Sequence, residues 1–315
     1  MLTRPLGRTG MTVGEIGLGT WSLSGEAYGP VTEVEVADTL RAALDAGVNF
    51  IETADCYRFG ALERIIGEVL RERGREGVVV STRIGVERTE TAVQKRFEGS
   101  YLVKASEAAL KRLGGEHLDV VVLHNPTVDT LARGEAWAAM ESLKQKGMVR
   151  ALGVSVSSRE QAEAALRLNA EVLVLPYNLM FSSLLHSLSG ELSSRGVGVV
   201  VRSPLAYGLL ADTWHAGRRF TDDDHRAWRW GAHDLGVRLK QREGLRALVG
   251  GDVKTLREAA LRYVLSNGLV SVACPGARTP EMARANASAV EPLPYLADKV
   301  LSAIGELRRD AGLDD

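Results

Sequence analysis

The chain has 315 residues, 45% hydrophobic and 25% charged, with a formal net charge of −1 at pH 7. That length allows one large domain or two ordinary ones, and the composition is that of a globular protein able to bury a sizeable core. With no basic block and no acidic tail, a nucleic-acid face is not expected, although a near-neutral total still permits a local anion site.

The opening "MLTRPLGRTGMTVGEIGLGTW" has no long apolar run, so no signal peptide is expected. No stretch reaches the roughly 18 apolar residues of a transmembrane helix. Two cysteines, Cys56 and Cys274, have no reason to pair and fit a reducing compartment. The cytoplasm is the expected location, with no membrane partner.

Short apolar runs then alternate with amphipathic helical patterns. "RPLGRTGMTVGEIG" has a turn at Thr9 and Gly10 between extended pieces, a hairpin suited to closing the bottom of a barrel. In "VTEVEVADTLRAALDAG", Thr32 and Glu35 form a capping box, Val36, Leu40, Ala43 and Leu44 recur at helical spacing, and Gly47 is a stop. "VNFIET" reads as a strand ending in Glu52, "LERIIGEVLRERG" as helix and "GVVVSTR" as a strand apolar on both faces. "ASEAALKRLG", "GEAWAAMESLKQKG", "SSREQAEAALRL", "SLLHSLSGELSSRG" and "TLREAALRYVLSNG" continue as helices. Between them "LDVVVLH", "VRALGVS", "EVLVLPYN", "VGVVVRS" and "LVSVACPG" are strands, and two helical patterns close the chain. Ser158 with Gln161, and Thr255 with Glu258, are further capping boxes.

Strands beginning near residues 16, 48, 78, 119, 150, 172, 197 and 270 make eight β-then-α units. Runs such as "VVVS" and "VVVLH" suit a parallel sheet covered by helices. Eight such units close into a (β/α)8 TIM barrel, read here as one domain spanning 1–315. A doubly wound open sheet is the rival, but the glycines of "GLGTWSLSGEAYG" lack the dinucleotide-binding spacing. Two intervals, 84–104 and 203–254, are long loops leaving strand C-termini, the face where barrel sites lie. The second carries Trp214, Trp228 and Trp230, which serve either a substrate wall or core packing. His215, His225 and His233 in the same interval have no metal spacing, and no metal is expected.

Polar groups gather at the strand ends: Glu52 and Tyr57, Arg83, His124, Ser155, Asn178, then Arg202 with Ser203. In a barrel these ends converge on one basin. Each alone has a packing explanation, but together they bring a carboxylate, a phenol, a guanidinium and an imidazole to one pocket.

From "PLGRTGMTVGEIGLGTW" through "FIETADCY", "LKRLGGEHLDVVVLHNP", "MESLKQKGMVRALGVS" and "GVGVVVRSPLAYGLL" to "PGARTPEMARANASA", the chain resembles an aldo-keto reductase over nearly its whole length. The resemblance implies a barrel binding NADP(H) at its C-terminal face, without metal, and hydride transfer between a carbonyl and an alcohol. The family's tetrad is Asp, Tyr, Lys and His. Tyr57 and His124 match it; Glu52 stands at the Asp position and Arg83 at the Lys position. A phenol is a poor acid at neutral pH, and a neighbouring cation is expected to lower its pKa so that Tyr57 serves as general acid or base. Glu52 is expected to hold that cation, and His124 to hydrogen-bond the substrate oxygen.

Thr20, Trp21, Ser155, Asn178, Arg202, Ser203, Leu205, Gly276, Arg278, Thr279 and Asn286 fall at positions the resemblance assigns to the cofactor. Thr279 and Pro280 open a helix whose free donors favour phosphate. Three departures stand out: Val174 where a Gln usually holds the carboxamide, Arg202 where an aromatic usually stacks on the nicotinamide, and Met282 where a Gln is customary. Arginine is no substitute for lysine as a proton relay, because it stays charged. Two other readings therefore stand beside the oxidoreductase: an NADP(H)-binding regulatory or sensor protein, and a non-redox proton-transfer enzyme. Substrate, reaction direction and oligomeric state are not legible. Cys56 reads as a small packed side chain.

Overall fold

In the computed structural model, residues 1–215, 217–290, 293 and 295–313 are described. Strands β1 (Thr3–Pro5) and β2 (Thr12–Gly14) pair antiparallel. The turn between them is the expected one: Thr9 Oγ1 donates to Leu6 O at 2.7 Å, and Gly10 has φ 76°. Leu6, Met11 and Val13 from this hairpin share one buried cluster with Phe50, Val79, Val120, Val172, Val200 and Val272. Leu6 sits against Gly198 at the start of a barrel strand, so the hairpin plugs the bottom.

The chain then runs through β3 (Leu18–Gly19), helix α1 (Glu33–Asp45), β4 (Phe50–Ala54), α2 (Ala61–Arg73) and β5 (Val79–Ile84). A second hairpin follows, β6 (Val86–Arg88) with β7 (Val93–Lys95), and then α3 (Gly99–Leu113) and β8 (Leu118–Leu123). Helices α4 (Val128–Arg133) and α5 (Glu135–Gln145) precede β9 (Val149–Ser155), and α6 (Arg159–Arg167) precedes β10 (Val172–Pro176). Helices α7 (Ser183–Ser187) and α8 (Ser189–Arg195) lead to β11 (Gly198–Arg202). The long insertion holds α9 (Arg226–Arg229) and α10 (Ala232–Gly244). Last come α11 (Leu256–Ser266), β12 (Val270–Cys274), α12 (Pro280–Ser288) and α13 (Asp298–Asp310).

Among the described residues, eight parallel strands lie in the order β3-β4-β5-β8-β9-β10-β11-β12. Parallel bridges Ile16 to Ala273 and Gly19 to Gly276 join the first to the last, so the sheet closes as a (β/α)8 barrel. One residue set of each strand fills the interior and the other packs under the helices.

Three local expectations change. The helix expected from residue 105 begins at Gly99, because Leu102, Ser106, Ala109 and Leu113 continue one buried stripe through polar "KASE". The second barrel strand, read as ending at Glu52, continues to Ala54. Thr255 caps Glu258 N, but the Glu258 carboxylate accepts from Lys254 N at 2.7 Å instead of closing a box. The boxes at Thr32 and Ser158 form on both sides.

Candidate active site

Strand period builds the site. Side chains two apart share a face, so the interior rows Phe50–Glu52, Val79–Ser81–Arg83, Val120–Val122–His124, Val200–Arg202 and Val272–Cys274–Gly276 each end in a group at the barrel mouth. The register sets Ala54 beside Arg83 and Arg83 beside Val122. Tyr57 arrives from the short 3-10 turn Tyr57–Gly60, in which Arg58 and Phe59 take positive φ and swing the chain over the mouth.

Arg83 is the hub. Its Nε lies 2.6 Å from Glu52 Oε1, a close ion pair whose angle is poor for a hydrogen bond. Its Nη2 donates to Tyr57 Oη, and its Nη1 lies 3.2 Å from His124 Nε2. All four side chains are buried or nearly so. A guanidinium only donates, so Nε2 of His124 accepts, and its Nδ1 faces the Cys56 sulfur at 4.0 Å. Burial opposes the charge on Arg83, but Glu52, with Tyr57 and Cys56 added, together outweigh it and keep the guanidinium charged. Burial, with Arg83, Lys95 and Arg202, holds the His124 imidazole well below its ordinary pKa, so it is neutral.

Tyr57 departs from expectation. Burial pushes the phenol above its ordinary value, and the pull of Arg83 does not cancel that. The cation was expected to win. It does not, because a phenolate loses its water on entering this site. Burial also lifts the Glu52 carboxyl, against Arg83. The Cys56 thiol is pushed up to about 12 by burial, the state of a packed, unreactive cysteine. Both cysteines are free and buried.

A cavity of about 960 Å³ runs from Glu52, Tyr57, Arg83 and His124 to Gly276, Arg278 and Asn286. Trp21, Arg202, Ser203 and Leu205 also line it. Other predicted residues brace it. Thr20 Oγ1 donates to Glu52 O at 2.9 Å, and Asn286 Nδ2 to Gly276 O at 3.2 Å. Asn178 Nδ2 donates to Ser203 O at 2.9 Å while its Oδ1 accepts from Met180 N at 2.8 Å. Ser155 Oγ donates to Asn125 Oδ1, so its hydroxyl is spent within the wall. Val174 is wholly buried in the barrel interior. Thr279 caps α12 by accepting from Met282 N at 3.3 Å. Arg278 is already engaged: Nη1 donates to Tyr28 O, and Nη2 to Gly29 O and Pro30 O. Arg202 Nη2 donates to Ser157 Oγ at 2.8 Å, while its Nε is buried without a partner.

The long insertion forms a wall of this cavity through Trp214, Phe220, His225 and Trp228. His225 packs edge-on to Trp21 at 4.5 Å and near Tyr28 and Tyr207, and burial pulls its imidazole down to about 4. Trp214 is buried against Phe220 and Trp230, whereas Trp228 is 75% exposed at the lip. Sequence reasoning missed Lys95, from the β6–β7 hairpin, and Arg257, in the first turn of α11; both line the cavity. Neither carries a local signal beyond charge. Among the described residues no group of three or more His, Cys, Asp or Glu could hold a metal, and no helix is long and apolar enough to cross a membrane.

Comparison with known proteins agrees with this architecture. The chain is 30% identical over 284 residues to the aldo-keto reductase YhdN of Bacillus subtilis (strain 168), covering 86% of this chain and 83% of that one. It is 29% identical to the NADH-specific methylglyoxal reductase of Escherichia coli (strain K12), covering 91% and 92%. The solved structure of the glycerol dehydrogenase AKR11B4 from Gluconobacter oxydans superposes with a TM-score of 0.86 at 25% identity, covering 99% of this chain and 97% of that chain. The family model described as "Aldo/keto reductase family" matches residues 15–309. The chain therefore belongs to the aldo/keto reductase family, and nicotinamide-dependent carbonyl reduction is the activity that membership implies.

Proposed function

We propose that the protein is a cytoplasmic NADP(H)-dependent oxidoreductase that interconverts a carbonyl and an alcohol, with Tyr57 as general acid and base. The observation that carries this reading is the Arg83 guanidinium meeting Glu52, Tyr57 and His124 at one end of a cavity whose other end is the N-terminus of α12.

The residues fit a dinucleotide. Arg202 Nε and Arg257 Nε are buried donors without partners on this cavity. A Cβ on Gly276 would come within 2.9 Å of Ser22 Oγ, so the backbone there is kept bare. Arg257 would hold phosphate, with Arg278 adding its charge from the carbonyls that already fix it, Asn286 would meet the adenine, and Arg202 with Ser203 and Leu205 would border the nicotinamide end. When bound, the nicotinamide supplies or accepts the hydride.

The chain's own groups manage the proton. Burial keeps Tyr57 protonated at neutral pH, ready to donate to the oxygen of a carbonyl being reduced. The Nη2 of Arg83 already touches that phenol oxygen, so the phenolate left behind is stabilised as it forms. Glu52 keeps the guanidinium in place and charged. His124 acts as an acceptor for Arg83 and not as a donor to the substrate, which leaves the remaining N–H groups of Arg83 as the second donors to the developing oxyanion. In the alcohol-to-carbonyl direction the same phenolate takes the proton back.

Calorimetry with NADPH and NADH, followed by a panel of carbonyls and alcohols, tests this. Binding of NADPH with turnover of at least one substrate is expected, and Tyr57→Phe should lower kcat by about 10²–10⁴-fold while leaving nucleotide binding intact. Nucleotide binding without turnover of any substrate would favour a sensor instead. Failure of both nucleotides to bind would overturn the reading.

A further inference from the structure

The charges around the cavity do not balance. Three carboxylates line it, and each is taken by an arginine: Glu52 by Arg83 at 2.6 Å, Glu26 by Arg88 at 3.3 Å, and Asp224 by Arg226 at 2.5 Å. Among the described residues, five further cations at the tetrad and lid end of the lining have no carboxylate partner: Lys95, Arg202, Arg218, Arg219 and Arg229.

Lys95 is the most directed of them. It ends strand β7, in the hairpin that follows the same barrel strand as Arg83. Its Nζ donates to His124 O at 2.6 Å and Asn125 O at 3.2 Å. Two of three ammonium donors are therefore fixed by the backbone beside the reaction centre, and the third has no partner among the described residues. Carbonyl oxygens anchor an ammonium without neutralising its charge. Held this way, Lys95 loses little rotamer freedom on meeting an anion, so the contact is preorganised.

We propose that the substrate is an aldehyde or ketone that also carries an anionic group, carboxylate or phosphate, and that Lys95 receives that group at the cavity rim. This rests on the oxidoreductase reading above and names its substrate class. Lys95 is thus a specificity-determining residue, outside the proton-transfer set of Tyr57 and Arg83. The unneutralised lid arginines add a long-range field that draws anions inward, and salt screens it.

The test uses matched pairs with the NADPH-loaded full chain: 4-carboxybenzaldehyde against its uncharged methyl ester, and glyceraldehyde 3-phosphate against glyceraldehyde. The expected result is a kcat/KM ratio, charged over uncharged, of about tenfold or more in at least one pair, the gain expected of a hydrogen bond to a charged group. Which pair shows it separates carboxylate from phosphate. Lys95→Met should reduce the ratio toward one through KM, Lys95→Arg should restore it, and raising ionic strength should erode it. A ratio near or below one in the natural chain, or a ratio that Lys95→Met leaves unchanged, overturns the proposal.

If neither member of either pair turns over, the oxidoreductase reading is what fails. Quenching of the cavity tryptophans by 4-carboxybenzaldehyde and by its ester then still decides the anion preference. Equal affinities, or tighter binding of the ester, would overturn it. Circular dichroism of Lys95→Met distinguishes a misfolded hairpin from a lost charge, and Lys95→Arg keeps the comparison valid in that event.

Discussion

Nη1 of Arg83 lies 3.2 Å from Nε2 of His124, and this one contact sets the tautomer of the imidazole. The guanidinium cannot accept, so the ring proton sits on Nδ1, toward Cys56. Burial and the cations around it also keep the ring neutral. The expected outcome is a His124 resonance set of the Nδ1–H form in ¹⁵N-labelled protein, unchanged from pH 8 down to pH 5. The reduction rate should likewise show no imidazole limb in that window. Arg83→Lys replaces a permanent cation with a titratable one, so kcat should acquire a fall at alkaline pH that the natural chain lacks. A His124 that titrates near 6.5 would refute the contact.

Asp55 follows the strand that carries Glu52, and its Oδ1 is buried without a partner. Burial, reinforced by Glu63, pushes its carboxyl up to about 8, while Arg112 opposes them. The sign follows from linkage. The unfolded chain releases this proton near the ordinary 3.8, and the folded chain holds it until about 8, so stability drains away as pH rises between those values. Asp55→Asn keeps the shape and removes the ionisation. It should stabilise the protein by about 1–3 kcal/mol at pH 8 and by much less at pH 4. Urea midpoints at the two pH values measure the difference.

Glu63 on α2 is fully buried. Arg112 on α3 supplies Nε at 2.7 Å and Nη2 at 2.6 Å to its Oε2, and Thr82 donates to its Oε1 at 2.5 Å. Arg112→Met strands a buried carboxylate and should cost about 3–5 kcal/mol by denaturant unfolding. Combining it with Glu63→Gln should recover part of that loss, which shows the cost to lie in the unpaired charge.

Gly7 has φ 52°, and a Cβ built there would lie 2.2 Å from Gly198 N and 2.6 Å from Gly196 O. The plug hairpin and the start of β11 touch backbone to backbone. Gly7→Ala must push the hairpin out of the barrel bottom, at about 3 kcal/mol. A Tm lowered by roughly 6 °C or more is the expected readout, with tetrad chemistry at the opposite end little changed.

Much of this molecule is local. Period two carries Glu52, Arg83 and His124 to one mouth once the strands are parallel, and alternation of β with α makes them so. Thr32, Ser158 and Thr279 cap their helices through residues three positions away, so those helix starts are legible without any tertiary knowledge. Family resemblance adds the roles, but not the partners, of those groups.

What the tertiary structure decided is whatever depends on distant neighbours or on lost water. Arg278 looked free for phosphate, yet its guanidinium binds carbonyls about 250 positions earlier. The phenol of Tyr57 looked acidified by its cation, yet complete burial reversed the balance. Lys95 is one charge among several in the long 84–104 interval until the β6–β7 hairpin sets its ammonium on His124 O. Sequence period determines which way a side chain faces. Only packing across the barrel determines how much water each charge keeps, and solvation is what sets its chemistry.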